Sequence, residues 1–112
     1  MKYRIVLVPF PFDDLSSSKV RPAVCLTDEI EPYGHVVLAF ITSNVSVLPT
    51  ATDLVIREGD EDFVATGLKV GSTIRLHRLM TVACGMIRRQ LGKLSTEQER
   101  AIEDRLRTLF GL

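Results

Sequence analysis

The stretch that most limits how this chain can fold is His35-Val36-Val37-Leu38-Ala39-Phe40-Ile41, in which every residue after the histidine is apolar. It is short for a helix, and its β-branched and aromatic content suits a strand covered on both faces. It stops at Thr42-Ser43-Asn44, residues that favour turns. Other short runs have the same character. Residues 4–9 read as a first strand closed by Pro9, and residues 21–26 as a second, with Pro22 near its start, where a missing N–H is tolerated. Residues 53–57, 72–77 and 79–84 supply three more, the last broken by Gly85. Between them, Phe10 to Val20 is a loop with the triplet Ser16-Ser17-Ser18, and Asp28–Gly34 and Glu58–Asp62 are acidic turns.

Only the end of the chain has a helical period. Ser95 followed by Gln98 is a capping box, and Ile102, Leu106, Leu109 and Phe110 then fall on one helix face. Glu97 and Glu99 in the first turn, and Arg105 and Arg107 further on, complement the helix dipole. Short strands at this spacing with one terminal helix predict a mainly-β fold, a small barrel or curled sheet, forming a single domain over residues 1–112.

Composition narrows the function. Hydrophobic residues at 46% and charged residues at 25% are ordinary for a globular protein. No run approaches the ~20 apolar residues of a membrane span, and the first apolar run is cut by Pro9 and Pro11, unlike a secretory signal. A cytoplasmic location is expected. Cys25 and Cys84 sit among apolar neighbours with no Cys-x-x-Cys spacing, and read as reduced, buried thiols. No metal site and no cofactor are expected: His35 and His77 lack companion ligands, and P-loop, Rossmann, Gly-x-Ser-x-Gly and His-Glu-x-x-His patterns are absent.

The net charge is zero, which argues against gripping duplex nucleic acid by bulk electrostatics. Residues 1–66 nevertheless carry five basic against ten acidic side chains, and residues 67–112 nine against four. Ten of the fourteen basic residues are Arg, whose planar fork suits phosphate. A local phosphate site on a neutral body is therefore permitted. The polar residues that remain lie at strand edges: Lys19 and Arg21 after the Ser-rich loop, Thr42-Ser43-Asn44, and Arg75 with His77. The last two should face outward together, since Ile74 and Leu76 alternate with them. Each also has an ordinary reading, as solvated charge, turn chemistry or a surface histidine.

Several segments taken in order resemble the MazF/PemK toxin family: Ile5-Val6-Leu7-Val8-Pro9-Phe10-Pro11-Phe12, Lys19-Val20-Arg21-Pro22-Ala23, Ala39-Phe40-Ile41-Thr42-Ser43, Thr66-Gly67-Leu68-Lys69-Val70, Ser72-Thr73-Ile74-Arg75-Leu76 and Leu91-Gly92-Lys93-Leu94-Ser95. The similarity runs from about residue 4 to residue 110. The resemblance implies an SH3-like barrel, a homodimer and metal-independent cleavage of single-stranded RNA at short sequences, inhibited by a cognate antitoxin protein. It implies that Arg21 and Thr42 are catalytic and that Arg75 is the strand arginine used by some members. This sequence departs from the family pattern in having Tyr3-Arg4 before the first strand, His77 where many members carry Asp, and Thr81-Val82-Ala83 in place of Thr-x-Asp.

RNA can be cut without metal because its 2′-hydroxyl can attack the adjacent phosphorus. Arg21 would stabilise the phosphorane charge, Thr42 would orient the phosphate, and Arg75 would share the charge. A guanidinium is a poor general acid, so His77 is expected to assist proton transfer, an imidazole's ordinary pKa near ~6.5 being closer to neutrality. Ser18, Lys19, Pro22, Ser43 and Asn44 are expected to line the RNA groove. Phe10 and Phe12 are able to stack bases, although proline-flanked loop aromatics more often anchor their own loop. The alternatives are a non-catalytic toxin on the same barrel, such as the gyrase-poisoning CcdB type, an inactive RNA- or protein-binding module, and an SH3-like interaction domain with no toxin role.

Overall fold

The computed structural model describes residues 1–9 and 19–112. The expectations placed on Phe10, Phe12 and Ser18 lie outside the described residues.

Among the described residues there are six strands: β1 (Arg4–Pro9), β2 (Val20–Cys25), β3 (His35–Thr42), β4 (Asp53–Ile56), β5 (Ser72–Ala83) and β6 (Arg89–Lys93). They form one antiparallel sheet in the order β4-β5-β3-β2-β1-β6. One-turn α1 (Phe63–Thr66) and the terminal α2 (Thr96–Phe110) complete it. The expected mainly-β fold, a small SH3-like barrel with a C-terminal helix, is present as a curled half-barrel. The run at 35–41 is its central strand, with Val36, Leu38, Ala39, Phe40 and Ile41 all buried.

Alternation along the strands sends apolar residues to both faces. Inside the curl, Ile5, Val24, Ala39, Ile41, Leu54, Ile74 and Leu76 pack with Leu94 and with Ile102 of α2. On the other face, Val6, Val8, Ala23, Cys25, Val36, Leu38 and Phe40 form a second cluster, with Cys84 packed against it. Burial pushes the Cys25 thiol up to about 11, in keeping with an inert small hydrophobe.

The α2 capping box is complete: the Ser95 hydroxyl accepts from the Gln98 N–H at 3.1 Å, and the Gln98 side chain accepts from the Ser95 N–H at 2.9 Å. Arg105 ties the helix to β4 by donating to the Asp53 carbonyl at 2.7 Å. The packed stripe is shorter than the sequence suggests. Ile102 is fully buried and Leu106 packs on the core, but Phe110 is 58% exposed because the last turn runs past the sheet. No helix among the described residues is long and apolar enough to cross a membrane.

Two other expectations change. Residues 72–77 and 79–84 are not two strands but one, β5, whose register against β3 shifts between Ala39 and Phe40. Leu79 pairs with Ala39 and Arg75 with Phe40, so Leu76, His77 and Arg78 together oppose a single step of β3. The other change is β6, which pairs with β1 and was not expected as a strand. It also packs on α1, where a Cβ at Gly92 would run into the Ala65 and Thr66 carbonyls, and one at Gly67 into the Leu91 carbonyl. Gly67 in addition closes α1 with φ of 72°.

Candidate functional site

The β2–β3 ladder runs only from Cys25↔Leu38 to Ala23↔Phe40. Pro22, next along β2, has no N–H to offer a neighbour, so the ladder has no donor there. A groove of about 370 Å³ lies between the opening of β2 and the end of β3, lined by Arg21, Phe40, Ile41, Thr42, Ser43, Asn44 and Arg78. The volume falls in the range of roughly 300–1,000 Å³ typical of ligand sites. Arg21 from β2 and Thr42 from β3, separated by the whole β2–β3 connection in sequence, thus share one cavity.

The polar wall is fixed from below by Thr73, which is fully buried on β5 opposite Thr42. Its hydroxyl donates to the Asn44 carbonyl at 2.9 Å and accepts from the Ser46 N–H at 3.0 Å. The Thr42 hydroxyl donates to the Thr73 carbonyl at 3.4 Å. That bond is long enough for the hydroxyl to exchange it for a better acceptor.

The remaining expected site residues are placed differently. Ser43 and Asn44 line the groove with Thr42. Lys19 is exposed just before β2, and Pro22 pairs with Leu7 within the sheet; neither lines the cavity. Arg75 stands in register between Phe40 and Asp53, on the same face of the sheet. Its guanidinium donates to Asp53 Oδ2 at 2.8 Å, and Asp53 is 2% exposed. Burial on its own pushes the Asp53 carboxyl up; hydrogen bonds from Thr50, together with the Arg75 charge, outweigh this and hold it below the usual carboxylate range. His77 is exposed on the bulge and does not line the groove. Arg78 and Phe40 do line it, and the guanidinium of Arg78 lies 5.9 Å from the centre of the Phe40 ring. Alternation along β5 hid Arg78, because the bulge puts it, and not His77, beside the end of β3.

Charge decides between this groove and the larger cleft. The cleft, about 670 Å³, is bordered by β4, Asp60, Glu61, Asp62 and the first turn of α2 with Glu97. That lining repels a polyanion. No Asp or Glu lines the groove among the described residues, and two guanidinium groups do. No group of three or more His, Cys, Asp or Glu side chains converges among the described residues.

These features bear comparison with known proteins. The model overlays toxin MazF-mt6 of Mycobacterium tuberculosis at TM-score 0.73 and 25% identity, covering 97% of each chain. An endoribonuclease from a mycobacterial species, solved with its cognate antitoxin, matches at TM-score 0.76 and 13% identity over 100% of this chain and 95% of that one. The MazE–MazF structure of Deinococcus radiodurans matches at TM-score 0.71 and 16% identity over 99% and 94%. No curated protein matches in sequence. A family model does match, over residues 1–110, and its span takes in β2, the end of β3 and β5, the three elements that build the groove. The chain belongs to the PemK-like, MazF-like toxins of type II toxin-antitoxin systems.

Proposed function

We propose that this toxin is an endoribonuclease that cuts single-stranded RNA at short sequences without a metal ion. The observation that carries the reading is the convergence of Arg21 and Thr42 in one groove that no described carboxylate lines. The RNA supplies its own nucleophile. Its 2′-oxygen forms a bond to phosphorus as the bond from phosphorus to the 5′-oxygen breaks. A proton leaves the 2′-hydroxyl and one is delivered to the departing oxygen, giving a 2′,3′-cyclic phosphate and a 5′-hydroxyl end. Arg21 stabilises the charge that builds on the phosphorane oxygens, and Thr42 orients the phosphate. Ser43 and Asn44 offer hydrogen bonds to the splayed bases, since sequence is read in RNA on unstacked, single-stranded nucleotides. Lys19 adds charge at the rim, and Pro22 serves by ending the β2–β3 ladder.

Arg75 takes part through a guanidinium already held by Asp53, sharing phosphorane charge from behind the Phe40 wall. His77 is the nearby proton carrier in this reading. The protein works as a homodimer in the cytoplasm, with a single domain per chain and a cognate antitoxin as its protein partner. The relatives solved with an antitoxin or as MazE–MazF support that partner.

The test is incubation of purified protein with single-stranded RNA in EDTA, followed by mapping of the new ends. Cleavage with 5′-hydroxyl ends is expected. Arg21→Ala should lower the rate by about 10²-fold or more, the loss seen when one preorganised donor is removed from a comparable site. Intact RNA, with growth arrest on expression, would point to a non-catalytic toxin instead.

A further inference from the structure

We propose that the acidic cleft beside α2 is a docking site for an extended basic segment of a partner protein, which joins the sheet as a further strand on β4. The nuclease reading plays no part in it, and either can fail alone.

In the sheet β4 is a terminal strand, with β5 on one side only. The Leu76 N–H donates to the Thr52 carbonyl at 3.0 Å, and the register continues from there through Leu54↔Ile74 and Ile56↔Ser72. Bonded and non-bonded pairs alternate along an antiparallel ladder. Residues 52, 54 and 56 therefore bond to β5, and the peptide groups of residues 53, 55 and 57 face the open edge.

Two of these three are closed from within the chain. The Asp53 N–H donates to the Thr50 carbonyl at 3.1 Å, and the Asp53 carbonyl accepts from Arg105 at 2.7 Å. The Arg57 N–H donates to Asp60 Oδ2 at 3.0 Å, and the Arg57 carbonyl accepts from the Asp60 N–H at 3.1 Å. Between them, no hydrogen bond among the described residues closes the outward N–H and carbonyl of Val55. An open strand edge is a template for another strand. Here the template is one residue long, enough for the two bonds that a bonded antiparallel pair exchanges.

Val55 opens on the cleft of about 670 Å³, whose lining matches the rest of such a strand. Leu54, Ile56 and Ala101 give apolar surface, Asp60, Glu61, Asp62 and Glu97 give carboxylates, and no Lys or Arg lines the cleft among the described residues. Asp60 and Asp62 already accept hydrogen bonds, from the Arg57 N–H and from the Ser95 hydroxyl at 2.6 Å. Glu61 and Glu97 are exposed and form no ion pair among the described residues. Uncommitted carboxylates beside an open edge repel an acidic segment and favour one carrying Lys or Arg, while pairing with Val55 demands extended backbone. A small amine would meet the charge and leave Val55 open.

The experiment titrates the full chain with a capped peptide of alternating Lys and Val, and reads amide hydrogen exchange alongside affinity. Saturation should slow exchange at the Val55 N–H by about tenfold, the scale of one strong hydrogen bond. Glu61→Gln and Glu97→Gln should each weaken binding by about threefold, within the range of exposed ion pairs. A peptide of alternating Glu and Val should not bind. Val55→Pro removes only the outward N–H, a change that an edge strand tolerates, and should weaken binding by about tenfold. Val55→Thr keeps the N–H and should bind as wild type does. The exchange measurement on wild type decides the matter even if Val55→Pro fails to fold. Absence of binding would overturn the proposal, and so would binding that leaves exchange at Val55 unchanged. Equal affinity for spermine, which has no peptide bond to pair, would mark a small-cation site instead and overturn it too. Protection of Val55 that grows with protein concentration alone would assign the edge to a second copy of the chain, with the same consequence.

Discussion

Thr73 serves the groove without touching it. Its buried hydroxyl joins the Asn44 carbonyl to the Ser46 N–H, and so fixes the segment that presents Ser43 and Asn44. Thr73→Val keeps the shape and leaves two groups unpaired, a cost of about 1–3 kcal/mol for each that stays buried. RNA cleavage should fall about tenfold, while Thr73→Ser restores it; equal cleavage by all three proteins would show that the wall needs no such support. Stability has its own residues. Asp53 has a folded pKa below its unfolded value, so the stability it contributes is present above ~3.9 and is lost as pH falls through the folded value. Cys25 has the opposite sign. Its pKa is raised to about 11, so its contribution is intact below ~8.5 and is lost as pH rises from there to about 11. The denaturant midpoint should therefore form a plateau near neutrality and decline on both sides; Asp53→Asn should remove much of the acid decline. An acid limb unchanged in that variant would show that other carboxylates set it. At this scale the strand-edge places of Arg21, Thr42, Ser43 and Asn44 were legible in the sequence, because proline and turn residues mark a strand's ends, while roles for Arg21 and Thr42 came only from the family resemblance. Asp53 was not, since its partner Arg75 lies 22 positions away and only the register of β4 on β5 brings them together.

Among the elements, those with strong local signals were readable and those made by their neighbours were not. The terminal helix announced itself through Ser95, Gln98 and its apolar stripe, and β3 through an unbroken apolar run. By contrast β6, Arg89-Gln90-Leu91-Gly92-Lys93, has one large apolar residue and a glycine, and is a strand because β1 offers it a ladder. The joining of two expected strands into β5 depends on a bulge, and period-two reasoning fails across a bulge. That is why Arg78 was passed over. The contact of α1 with β6 gives a test at this level. Gly92→Ala places a methyl group against the Ala65 and Thr66 carbonyls, which are backbone and cannot swing aside. It should destabilise the protein by about 1–3 kcal/mol or more, as overpacking does. An unchanged midpoint in chemical denaturation would mean that α1 is not closely seated on β6.

Across the whole molecule, zero net charge conceals a division of labour between two cavities. The acidic cleft beside α2 repels a polyanion, and the groove at the end of β3 attracts one. The excess of basic residues after position 66 hinted at this division, but only the fold shows that one of them, Arg78, meets Arg21 across β3. The account makes the protein a holder of charge and geometry, and makes the RNA the source of the nucleophile. That claim is tested most directly by replacing one ribose. An RNA that the protein cuts is made again with a single 2′-deoxy nucleotide on the 5′ side of the scissile phosphate, and both are incubated with the protein in EDTA. The account predicts cleavage of the first and none at that position of the second. Cleavage of both at equal rates would contradict it, because some other nucleophile would then be attacking the phosphorus.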